Sequence, residues 1–198
     1  MTEVITFTVQ KRDRAGKGAA RAIRRQGLVP GVIYGDKQTP VMFAMDPRPL
    51  LAALNKPGFY THQYDVVVDG EAFRCMAQDV QFGVVSDAPI HVDFLRVGKN
   101  TVVTTAVPVH FDNQDTCPGL KHGGVLNIVR HEVEVHAKPD DVPEQLVVDL
   151  AAAELNDTIH FSAITLPAGV TPVITDRDFT IATIIAPSGL KSDEAQGE

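Results

Sequence analysis

The sequence has no tryptophan, only two cysteines, and few aromatic residues of any kind (6%) among its 198 positions. Cys75 and Cys117 stand far apart in no ligand-like spacing, which argues against a disulfide framework and against a zinc site. Long apolar runs are missing too: no stretch approaches the ~18 residues that a transmembrane helix needs. The opening segment, MTEVITFTVQ, lacks the basic start, apolar core and small-residue cleavage site of a signal peptide. These absences lead to the expectation of a soluble, cytosolic chain with no membrane partner. With 44% hydrophobic and 22% charged residues, the composition is that of a folded chain. The length allows one large domain or two of roughly 100 residues each.

The formal net charge of −7 conceals a strong asymmetry. Residues 1–56 hold ten basic and four acidic residues, a net of +6. Residues 57–98 hold two and six, a net of −4, and residues 99–198 hold six and fifteen, a net of −9. Such a division points to a basic surface for a polyanion at one end and an acidic body at the other.

Period-two alternation over TEVITFTVQ places Ile5, Phe7 and Val9 on one face of a strand. LVPGVIYG and TPVMFAMD read as two strands joined by the turn Gly35-Asp36-Lys37-Gln38. DPRPLLAALNKPG reads as a short helix, with Asp46 as N-cap and Pro47 at its first position. Asp69-Gly70 between alternating runs is the sequence of a two-residue hairpin turn, whose positions both need positive φ. APIHVDFLRV is a further strand. Short strands, short helices and turns of this kind suggest a small β-barrel or sandwich with helical decorations. Around residues 96–100 aromatic residues thin out and acids dominate. TVVTTAVPVHF, VLNIVRHEVEVHA, QLVVDL, VTPVITD and FTIATIIA are strand-like, Asn113 to Gly124 reads as a loop, and a short helical or turn segment is expected near Ala151 to Ile159. The division expected is residues 1–97, 98–187 and a disordered polar tail at 188–198.

Gly16 and Gly18 open a short helix on which Lys17, Arg21, Arg24 and Arg25 share an arc of about 100°, opposite Ala19, Ala22 and Ile23. Lys11, Arg12 and Arg14 extend the patch. A solvated helix face is the plain alternative, but solvated faces usually mix signs. Residues 11–25 hold seven cations and the single acid Asp13. Tyr34 suits a half-buried strand position or a stack on a base. His91 and Asp93 share a strand face, and Arg96 joins them only across a bend. No activated Ser or Cys accompanies the His–Asp pair, so catalysis is not expected. Gly16-Lys17-Gly18-Ala19-Ala20-Arg21 ends in arginine, outside any βαβ context, and is no dinucleotide fingerprint. His131 and His136, five apart on a strand, point to opposite faces and form no metal pair. No cofactor is expected.

RAGKGAARAIRRQGLVPGVIYG, followed by PVMFAMD, VVVDG, AQDVQ and HVDFLRV, resembles the bacterial large-subunit ribosomal protein L twenty-five family. The likeness is to its long two-domain form, the general stress protein of Ctc type, and continues through LNIVRHEVEV, VPEQLVVDLAAAELNDTIHFSAITLPAGV and TIATI. The resemblance implies a mainly β protein: a six-stranded barrel with short helices over residues 1–97, followed by an all-β, sandwich-like acidic domain. It further implies that the first domain binds 5S rRNA, without enzymatic activity. Carried onto matching positions, Arg12, Lys17, Arg21 and Arg24 contact phosphates and groove edges, and Tyr34, Gln78, His91 and Asp93 form the sheet side of the RNA surface. Ala22 departs from the pattern, standing where a cation often follows the first helix arginine. The expected setting is the ribosome in the cytoplasm, beside neighbouring large-subunit proteins and rRNA, with a monomer when free. The alternative is a stress-linked protein-interaction module acting mainly through the acidic second domain.

Overall fold

A computed structural model gives the positions of residues 5–98 and 101–186. Val4, the centre of the expected domain boundary (Lys99 and Asn100) and the expected tail at 188–198 lie outside these described residues.

Eight elements build the first half: β1 (Ile5–Lys11), α1 (Lys17–Arg25), β2 (Val29–Tyr34), β3 (Val41–Met45), α2 (Pro47–Leu54), β4 (Gln63–Val68), β5 (Glu71–Phe82) and β6 (Pro89–Arg96). The six strands close into a barrel in the order β1-β3-β2-β6-β5-β4. Closure uses two parallel pairings, β1 with β4 (Phe7 beside Val66) and β2 with β6 (Ile33 beside Phe94); the remaining pairs are antiparallel. The barrel is filled by side chains. Phe7, Phe43, Tyr64 and Phe94 meet at ring-centroid distances of 5.2–6.1 Å, and Tyr64 donates its hydroxyl to Phe59 O at 3.0 Å. Gly31 is needed for this packing, since an added Cβ would lie 2.7 Å from Val92 O and clash with the edge of the Phe43 ring.

Local signals behave as their chemistry requires. Asp69 and Gly70 turn with φ of 50° and 92°, and Asp46 caps α2 by accepting from Arg48 N at 2.9 Å. Arg96 follows the parity of Val92 and Phe94 and is buried at 6% exposure, away from the face of His91 and Asp93. Its guanidinium donates to Thr39 O at 3.2 Å and covers the Phe73 ring at 4.9 Å.

The second half adds β7 (Val103–Asp112), α3 (Pro118–Lys121), β8 (Val125–Ile128), β9 (Glu132–Ala137), β10 (Leu146–Asp149), β11 (Thr158–His160), β12 (Thr171–Pro172) and β13 (Thr180–Ile185). They form a four-stranded sheet, β10-β7-β9-β12, and a three-stranded one, β11-β13-β8. Three details differ from the sequence reading, the first being that only Thr171–Pro172 of VTPVITD is strand. VLNIVRHEVEVHA is two strands in different sheets, because Val129 N and Arg130 N both turn onto Ile181 O and interrupt the ladder. The segment from Asn113 to Gly124 contains the one-turn helix α3, with Pro118 at its start. Two compact units result: one runs to Thr105 and takes in His136–Glu144, the other holds Ala106–Val135 and the chain from Gln145 onward.

Candidate nucleic-acid interface

The basic helix α1 buries none of its residues fully; Ala19, Ala20, Ala22 and Ile23 are half-buried, while Lys17, Arg21, Arg24 and Arg25 are exposed. Gly16, with φ of 99°, turns the chain into the helix, and Arg24 and Arg25 sit in its last turn, where the helix dipole favours cations. Arg24 Nε donates to Ile90 O at 2.8 Å, which fixes the helix beside the start of β6 and the adjacent His91. An open groove of about 780 Å³ runs between α1 and the preceding loop, lined by Arg12, Asp13, Arg14, Gly16, Gly18 and Ala19 among others.

Arg12 occupies this groove in an unusual state. Its Nε and Nη1 are buried without a hydrogen-bond partner. Burial, followed by the like charge of Arg24, holds its guanidinium below the ordinary arginine pKa. The two donors of Arg12 are thus unmet beside a second cation, an arrangement that costs stability until something accepts from them. Among the described residues, none of Arg12, Lys17, Arg21 and Arg24 is paired with a carboxylate; the one arginine ion pair is Arg74–Asp65 at 3.1 Å.

The sheet side is built by a bulge. Strand β5 places Ala77 opposite Phe94 and Asp79 opposite Asp93, leaving Gln78 as the extra residue. Ala77 and Val80 both face the core, and Gln78 and Asp79 are both exposed between them. One inserted residue therefore aims two adjacent polar side chains outward, as bulges do. Gln81 lies opposite His91 in the same ladder. In the neighbouring pair Val32 lies beside Asp93, so Tyr34, two residues on, shares this outer face. Burial, then the charges of Asp93 and Asp79, raise the Tyr34 pKa. His91 Nδ1 lies 2.8 Å from Asp93 Oδ1, a buried oxygen, so the two side chains are held together on this face. Asp79, next to Gln78 after the hairpin, lies directly opposite Asp93, an unfavourable pairing of like charges that marks it as part of the same acceptor-rich face.

The structure thus brings Tyr34, Gln78, His91 and Asp93 onto one face of β2, β6 and β5. Arg12, Lys17, Arg21 and Arg24 lie on or beside α1, joined to β6 through Arg24 and Ile90. Fold and site together define a β-barrel protein with an exposed basic helix face.

Comparison with known proteins is more specific. Residues 7–94 match the Ribosomal L25p family and residues 102–188 match the C-terminal domain of ribosomal protein TL5. The large ribosomal subunit protein bL25 of Rhodospirillum rubrum is 57% identical over 196 residues, covering 98% of this chain and 93% of that protein. Its counterparts from Novosphingobium aromaticivorans (51% over 194 residues, covering 98% and 95%) and Chelativorans sp. (49% over 197 residues, covering 100% and 94%) are similar throughout. The chain belongs to the bL25 family of large ribosomal subunit proteins, in its long form, a structural and non-catalytic family.

Proposed function

We propose that this protein is the large-subunit constituent that binds 5S rRNA through its barrel, with Arg12, Lys17, Arg21 and Arg24 on phosphates and groove edges. Tyr34, Gln78, His91 and Asp93 contact irregular base edges and 2′-hydroxyls. The observation that carries this reading is Arg12: a partly buried guanidinium beside Arg24, with two unmet donors and no carboxylate. A phosphate oxygen satisfies those donors and offsets the repulsion between the two cations. A-form RNA has a major groove too deep and narrow for side chains, so recognition falls on the minor groove and on irregular loops. Helix cations give sequence-independent attraction and register, and the acceptors of Asp93 and Gln78 select base amino groups. The resemblance over both matched segments supports a division into an RNA-binding domain at 1–97, an acidic β domain at 98–187 and a tail at 188–198. At a net of −9, residues 99–198 stay off phosphate and face solvent or a basic protein neighbour. The protein works in the cytoplasm on the ribosome and is a monomer when free.

Filter binding of the full chain to 5S rRNA, in competition with an unrelated stem-loop at fixed salt, tests the reading. Preferential retention of 5S rRNA is expected, and equal affinity for both RNAs refutes specific recognition.

A further inference from the structure

The loop joining β5 to β6 presents apolar side chains where loops are ordinarily polar. Val84 and Val85 are each 98% exposed and Phe82 is 43% exposed. The loop that holds them is internally braced: Gly83 N donates to Ala88 O and Asp87 N to Gly83 O, both at 2.9 Å, and Asp87 takes a left-handed φ of 49°. Ser86 Oγ packs closely over Gly83, 2.7 Å from where a Cβ would stand. The base of the loop is tied down as well, because Arg24 donates to Ile90 O. Val84 and Val85, almost wholly exposed, present apolar surface whose covering is favourable, and Phe82 at the end of β5 adds to it.

We propose that Phe82, Val84 and Val85 form a docking prong for a neighbouring protein that offers an apolar pocket with a basic rim. The inference takes the large-subunit setting from the reading above and goes beyond it in assigning a protein contact. The chemistry of the segment favours protein over RNA as the occupant. Between Arg74 and Arg96 the sequence has no lysine or arginine, and the one charged residue of the loop is Asp87. The tip itself therefore offers phosphate no cation, whereas a basic pocket rim complements Asp87. Burial of one valine side chain is worth about tenfold or more in affinity, and a preformed loop spends little of it on ordering.

The test uses the full chain carrying V84D/V85D, together with a photoreactive residue at position 85 of the otherwise unaltered protein. Both valines are wholly exposed, so the double substitution leaves the barrel intact; 5S rRNA binding within about twofold of the unaltered chain verifies this. Retention on purified large subunits after a salt wash is expected to fall by about tenfold or more. The crosslink formed at position 85 within those subunits is expected to be a protein–protein adduct that survives ribonuclease. Undiminished retention of V84D/V85D overturns the proposal, as does an adduct that ribonuclease removes. If the unaltered chain fails to bind 5S rRNA, the reading of the previous section falls, while the crosslink at position 85 still decides the prong.

Discussion

Removing one cation at a time from the helix face should change how RNA affinity depends on salt. Arg12, Lys17, Arg21, Arg24 and Arg25 have no carboxylate partner among the described residues, so each is available to displace a counterion from RNA. Borrowing the duplex-DNA coefficient of about −0.9 per neutralised phosphate, five contacts give a slope near −4.5 for log affinity against log salt. Raising salt fourfold, from 50 to 200 mM, then weakens binding by roughly 500-fold. Arg21→Ala should flatten the slope to about −3.6 and weaken 5S rRNA and unrelated RNA alike. Arg74→Ala is the internal control: that side chain is committed to Asp65 at 3.1 and 3.3 Å, and its loss should leave the slope unchanged. Filter binding over a salt series measures all three. A slope shallower than about −2 for the unaltered protein, or an Arg21→Ala slope equal to it, would refute the assignment of the helix face to phosphates.

Other consequences are equally open to measurement. His91→Ala and Asp93→Asn should each cost about 1–3 kcal/mol of preference for 5S rRNA over an unrelated stem-loop, with little change in salt slope, as competition binding will report. Gly31→Ala should lower stability by at least about 2 kcal/mol in urea unfolding, because Val92 O and the Phe43 ring leave no room for a methyl group. Burial pushes the Cys75 thiol up to about 12. Below pH 9 it is a thiol in both states; above that, the unfolded chain loses the proton first, so stability falls between pH 9 and about 12. A disulfide reagent at pH 8 should leave Cys75 unmodified until the protein is unfolded. Tyr34 should ionise above the ordinary tyrosine range in ultraviolet titration, and Asp79→Asn should bring it down by removing one of the charges that raise it.

The elements most legible in the sequence were those fixed by neighbours in the chain. Phe7 and Val9 alternate into the core, Asp69-Gly70 dictates its hairpin, and Asp46 with Pro47 starts a helix. Contacts between distant segments left weaker traces. Nothing in β1 alone names β4 as its parallel partner, and nothing in β2 names β6. The break at Val129–Arg130 depends on Ile181 O, some fifty residues on, so the local alternation reads as one strand. The cationic face was readable because 3.6-residue periodicity is local, whereas the bond from Arg24 to Ile90 spans 66 positions. The bulge at Gln78 appears only once the register against β6 is known, and with it the outward aim of Asp79.

Closure through β1–β4 and β2–β6 also has a bearing on the protein's birth. The opening strand, finished by Lys11, waits until Gln63–Val68 has been synthesised before its parallel neighbour exists, and β2 waits for Pro89–Arg96. The hairpins can assemble first, because their partners are close in sequence, and the two parallel pairings follow. The surface assigned to RNA spans β2, β5 and β6, and so matures at the last step, as a nearly complete barrel draws shut. A nascent chain halted before residue 96 has cations but no shaped platform to aim them. The proposed RNA surface therefore exists only once the whole barrel, through Arg96, has been made.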